Sequence, residues 1–264
     1  MKAPKVLVLS GRGRFADPWH DMAATSHQIA DILAGAVLPC PKGGESDVSS
    51  GDCEVGSGAQ VVVRSTFRGA LDDLADFDLL VLNISRAEPG YREAEIDGTE
   101  EYWTPFISRI ADWANSGGRV LALHAATLAA GDYPELESVI GGAWVEGVSG
   151  HPPIGDMTLT IPNPSSDSQE WQLPGAVQAF DERYCRLRVS PEVEVLGWVR
   201  DDPEPGQSEG TAYPALWFHR PQVGQQNPQA GMVVYSALGH DARSFASPSH
   251  QELLVKAARH LLSR

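Results

Sequence analysis

The sequence contains little cysteine, no basic block and no long apolar run, and each absence excludes a class of protein. Its 3 cysteines form no C-x-x-C pair and favour reduced thiols, although a Cys40–Cys53 bridge across a loop stays open. The formal charge of −15 repels phosphate backbones and predicts no nucleic-acid partner. No apolar run reaches roughly 18 residues, and the run at 6–9 is too short for a signal peptide. We therefore expect no membrane partner and a cytoplasmic location.

Several catalytic and cofactor-binding motifs are also missing. The sequence has no G-x-x-x-x-G-K-[ST] loop, and Gly11-Arg12-Gly13 is not followed by the third glycine of G-x-G-x-x-G, because position 16 is Ala16. We therefore expect no nucleotide cofactor. No serine or cysteine occupies a nucleophile elbow, so a triad of that kind has no evident nucleophile.

The first half of the 264-residue chain alternates predicted strands and helices. Continuous apolar runs, which are typical of strands covered on both faces, predict strands at 5–10, 60–65, 78–83 and 119–123. Asp17-Pro18 and Thr104-Pro105 predict helix starts, the helices ending near Gly35 and Ser116. This alternation indicates an α/β fold with a mainly parallel central sheet. Residues 39–59 are rich in Gly, Ser and Asp and predict a flexible loop insertion.

The second half is richer in strands. We predict strands at 157–161, 193–200, 215–219 and 232–237, and a last helix that begins near Ser247-Pro248-Ser249. The final strand and helix are expected to return to the parallel sheet. No linker or internal repeat divides the chain, so a single domain over 1–264 is expected.

Polar residues follow four of the predicted parallel strands, at the edge where such sheets bind ligands. They are, in chain order, Gly11 and His20; Asn83, Ser85 and Arg86; His124; and His240 with Asp241. The convergence of four strand ends predicts one site at this edge.

His124 stands where a nucleophile elbow places its reactive residue, between the small residues Ala122 and Ala126. The alternative is a structural histidine that caps the following helix. His240 precedes Asp241, which could orient it, or the pair could bind a metal. His151 lies in a predicted loop. Histidine and carboxylate sets suit zinc or another divalent ion, although no H-E-x-x-H spacing is present.

The segment Phe180-Asp181-Glu182-Arg183-Tyr184 is a further candidate. Its carboxylates could act as an acid/base pair, ligate a metal or hydrogen-bond a sugar. A surface cluster of ion pairs is the alternative.

Taken together, these segments resemble the trehalose-utilization ThuA family. The resemblance rests on motifs that occur in the family's order: Leu7 to Gly11, Phe15 to His20, Gly117 to Thr127, Ile140-Gly141-Gly142, His151, Asp181 to Tyr184, and Gly239-His240-Asp241. It implies a flavodoxin-like three-layer sandwich, similar to class I glutamine amidotransferases but without their nucleophilic cysteine. It also implies a role in carbohydrate metabolism.

The resemblance implies one pocket, for which we predict specific roles. The catalytic residues are predicted to be His124, Glu182 and His240. The predicted sugar-binding residues are Gly11, His20, Asp181, Tyr184 and Asp241. A divalent metal such as zinc would use His124, His151, Glu182 and His240. The expected partner is a small sugar, a disaccharide or keto-sugar, and a homodimer is the default assembly. A non-catalytic sugar-binding or regulatory protein is the alternative function.

Overall fold

The computed structural model describes residues 3–36, 58–87, 98–162, 171–203, 205–221 and 231–263. Most of the predicted 39–59 loop, with Cys40 and Cys53, lies outside these residues. The strands are β1 Lys5–Ser10, β2 Gln60–Ser65, β3 Leu79–Asn83, β4 Arg119–Leu123, β5 Gly142–Ala143, β6 Gly155–Thr160, β7 Ala176–Asp181, β8 Arg188–Val189, β9 Glu194–Arg200, β10 Ala212–His219 and β11 Met232–Ser236. The helices are α1 Met22–Ala34, α2 Glu100–Asn115, α3 Ala126–Asp132, α4 Pro134–Ile140, α5 Ala242–Phe245 and α6 Pro248–Ser263.

Nine strands form one sheet in the order β2-β1-β3-β4-β11-β10-β9-β6-β7. The first five are parallel, and the order 2-1-3-4 followed by β11 is that of flavodoxin-like proteins. The remaining strands join antiparallel. The predicted α/β class and the return of the last strand to the parallel sheet are therefore confirmed.

The sheet is covered by helices, and its centre forms the core. All residues of β3 and β11 are buried, as the continuous apolar runs require. Helices α1 and α6 pack against each other and against the parallel strands, while α2 and α3 pack against α4. In the sheet, β2 lies on one side of β1, whereas β3 and β4 lie on the other side. Because crossovers between parallel strands are right-handed, this reversal of direction places α1 and α6 on one face of the sheet and α2, α3 and α4 on the opposite face.

Two predicted helix starts are wrong. Helix α1 begins at Met22, where the Asp21 side chain accepts a hydrogen bond from the Ala24 N–H, and not at Asp17-Pro18. The Asp17 carboxylate has other partners, described below. Helix α2 begins at Glu100 because Thr99 caps it, and Pro105 lies inside the helix. Proline near a helix start is common, but a side-chain cap decides the first residue.

Candidate metal and active site

Three histidines and one glutamate meet at the carboxyl edge of the parallel strands. His20 follows β1, His124 follows β4 and His240 follows β11, while Glu182 follows β7. The imidazole centroids lie 5.0 Å apart for His20 and His124, 4.6 Å for His20 and His240, and 5.6 Å for His124 and His240. We call these four residues the histidine–glutamate cluster.

His124 has the strained backbone that its sequence context predicts. Its φ of 40° lies in the left-handed region, which a residue other than glycine rarely adopts. The carbonyl of His124 accepts hydrogen bonds from the Tyr235 hydroxyl at 2.9 Å and the Thr127 hydroxyl at 3.1 Å. Its ring Nδ1 lies 2.7 Å from the carbonyl oxygen of Ala237. Since a carbonyl only accepts, Nδ1 carries a proton, and in the neutral ring Nε2 presents a lone pair to the cluster.

His20 is oriented by a carboxylate. Its Nδ1 lies 2.7 Å from both oxygens of Asp17, a side chain that is 1% exposed. The ring therefore directs Nε2 toward the other histidines. A carboxylate behind a histidine is a common outer support of metal sites.

Glu182 lies at the centre of the cluster. Its Oε2 is 3.5 Å from His124 Nε2 and 3.5 Å from His240 Nδ1, while its Oε1 is 3.4 Å from His151 Nδ1. The neighbouring Asp181 has a different task. It accepts hydrogen bonds from the N–H groups of Gly239 at 2.7 Å and His240 at 3.2 Å, and from the Ser244 hydroxyl. Asp181 thus fixes the backbone that carries His240.

The cluster has the donor set of a divalent metal site. Among the described residues, His20 Nε2, His124 Nε2 and His240 Nδ1 are buried and make no hydrogen bond. One ligand atom from each of the four residues lies within 4.8 Å of the others. Metal–ligand bonds of about 2.1 Å separate tetrahedral ligands by about 3.4 Å, close to the 3.5 Å between Glu182 and its two histidines. Three imidazoles and a carboxylate therefore fit zinc or a similar ion.

The charges at the site also favour a cation. Burial raises the pKa of Glu182, but His124, His240 and His151 outweigh burial and hold the pKa below its usual value. Burial lowers the pKa of His124, but Glu182 and Asp181 outweigh that effect and raise the pKa. The pKa of His240 is lowered, mainly by burial. Glu182 is therefore ionised at neutral pH and can bind a positive ion.

Three carboxylates are buried here without a lysine or arginine from the described residues beside them. Asp17 and Asp181 are almost fully buried and Glu182 nearly so. Within the described part of the chain, no lysine or arginine forms an ion pair with any of them. Their partners are histidine rings and neutral hydrogen-bond donors, so a divalent ion would add positive charge that favours buried carboxylates.

The structure distributes the other predicted site residues around the cluster. Tyr184 is buried, and its ring stacks on His124 at 4.2 Å between centroids. Asp241 caps α5 and pairs with Arg243, so its carboxylate is directed to that helix. Gly11 has a packing role, because a Cβ there would lie 2.0 Å from the Phe15 carbonyl oxygen.

The geometry changes one member of the predicted metal set. His20, predicted to bind sugar, lies with His124, Glu182 and His240, whereas His151 stands outside those four. The His151 side chain is 35% exposed, and its Nδ1 lies 2.9 Å from the Pro152 carbonyl oxygen and 3.4 Å from Oε1 of Glu182, not from the Oε2 that faces His124 and His240. Asp181 and Glu182 are buried, so the surface ion-pair alternative for their segment does not describe them.

Sequence reasoning missed the role of Asp17, and it named Ser85 only as a polar residue at a strand end, without its contact with Asp17. The Ser85 hydroxyl, just after β3, donates to Asp17, which in turn holds His20. A signal was present, because Asp17 stands three residues before His20 and Ser85 stands among the polar residues at a strand end. The Asp17-Pro18 pair resembled a helix cap and concealed that role.

The sequence matches the family model ThuA, described as trehalose utilisation, over residues 5–261. The chain therefore belongs to the ThuA family, which connects it in general terms to carbohydrate use. A comparison with curated proteins found no match. No helix in the described ranges is both long and apolar enough to cross a membrane.

Solved structures share the fold at low sequence identity. A ThuA-like protein from Parabacteroides merdae is 15% identical, with 99% of this chain and 90% of that chain covered and a TM-score of 0.64. A cytoplasmic protein from Salmonella typhimurium LT2 is 11% identical, with 98% and 100% covered and a TM-score of 0.55. A glutamine amidotransferase from Thermotoga maritima is 11% identical, with 90% and 76% covered and a TM-score of 0.41. At these identities the first two likenesses show the fold alone.

Proposed function

We propose that this protein binds a divalent metal ion such as zinc at the histidine–glutamate cluster and uses that site to act on a disaccharide or keto-sugar. The observation that carries the proposal is the convergence of three buried, unpartnered imidazole nitrogens on an ionised carboxylate. Imidazole nitrogens without partners are costly to bury, and a metal ion satisfies all three at once. Membership in the ThuA family supports the carbohydrate as substrate class.

The reaction class that fits this site is isomerisation or bond cleavage beside a sugar carbonyl. A divalent ion supplies a Lewis acid that polarises a carbonyl or hydroxyl oxygen. Both reactions also need a group that moves a proton. With His124, His240 and Glu182 engaged as ligands, that task falls to His151, whose partly exposed ring lies 3.4 Å from Glu182. His151 would take and return the proton at a ring nitrogen.

Aromatic side chains beside the cluster suit the apolar face of a sugar ring. Trp19 directly precedes His20 and is 61% exposed, so most of its surface is open to solvent. Trp144 packs against Tyr184 at 4.9 Å and lies 6.1 Å from His151, both between ring centroids. Aromatic surfaces of this kind recognise ligands that combine apolar faces with polar edges. Trp19 and Trp144 are therefore the proposed sugar contacts.

A groove lined by residues that stand close in the chain to Glu182 and Asp241 is the place we propose for the rest of a disaccharide. Its volume is about 1270 Å³, and its lining includes Phe180, Arg183 and Arg243 but none of the four cluster residues. Arg183 is paired with Asp202, and Arg243 with Asp241. Because these charges are balanced, the groove suits a neutral polar ligand such as a sugar.

The metal content of the purified protein tests the proposal. We expect about one zinc or similar ion per chain after reconstitution and dialysis, and a large loss of metal in His124→Gln and Glu182→Gln. His219→Gln is the matched control, because His219 is also buried but its Nε2 hydrogen-bonds the Ser138 carbonyl away from the cluster. Failure of the wild-type protein to bind any divalent ion would refute the metal site.

Turnover of a 3-keto-disaccharide tests the catalytic part. We expect metal-dependent turnover that His151→Gln abolishes while metal content stays unchanged. Binding of the sugar without turnover, by a metal-loaded protein, would instead support the sugar-binding or regulatory function and overturn the enzymatic one.

A further inference from the structure

Asp17 has a buried carboxylate that is not one of the four proposed metal ligands. Its Oδ1 accepts hydrogen bonds from the Trp19 N–H at 2.9 Å and the His20 N–H at 3.0 Å. Both oxygens lie 2.7 Å from His20 Nδ1, and the Ser85 hydroxyl donates to Oδ2. Four donors around one carboxylate leave it little freedom to move.

These contacts fix the protonation site and the direction of the His20 ring. A carboxylate accepts hydrogen bonds, so Nδ1 carries a proton, and in the neutral ring Nε2 presents its lone pair. His20 Nε2 is one of the three unpartnered nitrogens in the cluster. His124 achieves the same arrangement with the neutral carbonyl of Ala237. His20 differs because a negative charge stands behind its ring, which makes Nε2 a stronger donor to a cation.

The contacts of Asp17 also connect two strand ends of the sheet. Ser85 lies just beyond β3, whereas His20 lies at the end of the loop that follows β1. Backbone hydrogen bonds join the same segments: Ser85 N–H donates to the Phe15 carbonyl at 2.8 Å, and Gly11 N–H donates to the Asn83 carbonyl at 2.8 Å. The loop that carries His20 is therefore anchored to the neighbouring strand, and Asp17 transmits that anchoring to the imidazole.

We propose that Asp17, held by Ser85, is a positioning residue that fixes the tautomer of His20 and strengthens its bond to the divalent ion, an inference that rests on the proposed metal site. Asp17 does not itself ligate the ion. Removing a residue that hydrogen-bonds a metal ligand from behind typically lowers metal affinity by roughly 10–100-fold.

Zinc affinity, measured by competition with a chromophoric chelator, tests the role of the charge. We expect Asp17→Asn and Asp17→Ala to weaken zinc binding by about 10–100-fold, and Ser85→Ala to weaken it less. Asp21→Asn is the matched control. It removes one carboxylate from the same segment and keeps a good helix cap, and Asp21 makes its side-chain contact with Ala24 rather than with His20. Unchanged affinity in both Asp17 variants, or an equal loss in Asp21→Asn, would overturn the proposal.

The tautomer of His20 is a second readout that does not need a metal. Nitrogen-15 NMR of the metal-free protein should show His20 protonated at Nδ1, with that preference lost in Asp17→Ala. A neutral His20 ring that is protonated at Nε2 and not at Nδ1 in the wild-type protein would overturn the role of Asp17 whether or not zinc binds. Absence of zinc binding by the wild-type protein, with the Nδ1 tautomer intact, would instead count against the proposed function. Asp17→Asn has nearly the shape of the native residue and serves as the reporter if Asp17→Ala fails to fold.

Discussion

The strained backbone of His124 depends on two hydroxyl groups, and removing them should have a more than additive effect. Tyr235 and Thr127 both donate to the His124 carbonyl, and their own oxygens lie 3.2 Å apart. Either hydroxyl can be removed with little change of shape, by Tyr235→Phe or Thr127→Val. The Tyr235 ring would keep its stack on Trp217, whose centroid is 4.1 Å away.

The magnitude follows from the number of donors left to the carbonyl. Each single variant leaves the buried carbonyl with one hydroxyl donor, so the loss should be near that of one net hydrogen bond, about 1 kcal/mol. The double variant leaves only the Thr127 N–H at a long 3.4 Å. The carbonyl is then largely unsatisfied, which adds a desolvation cost of about 1–3 kcal/mol. The double variant should therefore lose about 3–5 kcal/mol in total.

Urea denaturation of the metal-free proteins measures these free energies of unfolding, provided that the slopes with urea agree. Tyr213→Phe is a control for the tyrosine change, because Tyr213 is half-buried and its hydroxyl donates to Asp201 at 3.2 Å, remote from His124. Zinc affinity should fall with stability in the double variant, since the turn that aims Nε2 is released. Losses that simply add, to within about 0.3–0.5 kcal/mol, would refute the idea that the two hydroxyls jointly hold the strained turn.

Three further predictions concern other parts of the site and the core. Asp181→Asn should lower both stability and zinc affinity, because the carboxylate accepts three hydrogen bonds from residues 239–244; calorimetry that shows neither change would contradict this role. Burial lowers the pKa of His250, so the folded protein keeps that ring neutral, while the unfolded chain takes a proton there below about pH 6.5. The free energy of unfolding should therefore fall on acidification, by up to about 1.4 kcal/mol per pH unit from this group. The variant His250→Gln should reduce that slope in urea denaturation at several pH values. Trp19→Ala should weaken sugar binding about fivefold or more, Trp19→Phe should recover part of that affinity, and neither should change zinc affinity. If titration calorimetry gives Trp19→Ala the same sugar affinity as the wild-type protein, Trp19 is not a sugar contact.

The parallel half of the fold could be predicted from the sequence because its strands are continuously apolar. The predicted bounds of β1, β2 and β4 agree with the structure, although β2 at the sheet edge is largely exposed rather than covered on both faces. Strand β7 was not predicted, because its residues alternate between exposed and buried over only Ala176–Asp181. A short alternating segment has a weaker signal than a continuous apolar run.

The sequence by itself determined which residues could carry chemistry: His124 at an elbow, His240 after the last strand and Glu182 beside Asp181. The assignments of His124 and His240 follow from local order along the chain, since the end of a buried parallel strand is a fixed place in the sheet, whereas that of Glu182 rests on its sequence motif alone. Only the tertiary structure decided that His20 and not His151 joins them, and that Asp17 and Ser85 stand behind it. His20 lies ten residues beyond the end of β1, and the path of such a loop depends on contacts with β3 that no local pattern specifies. The membership of the histidine–glutamate cluster is therefore a property of the folded loops, whereas the location of the cluster at the sheet edge follows from the order of the strands.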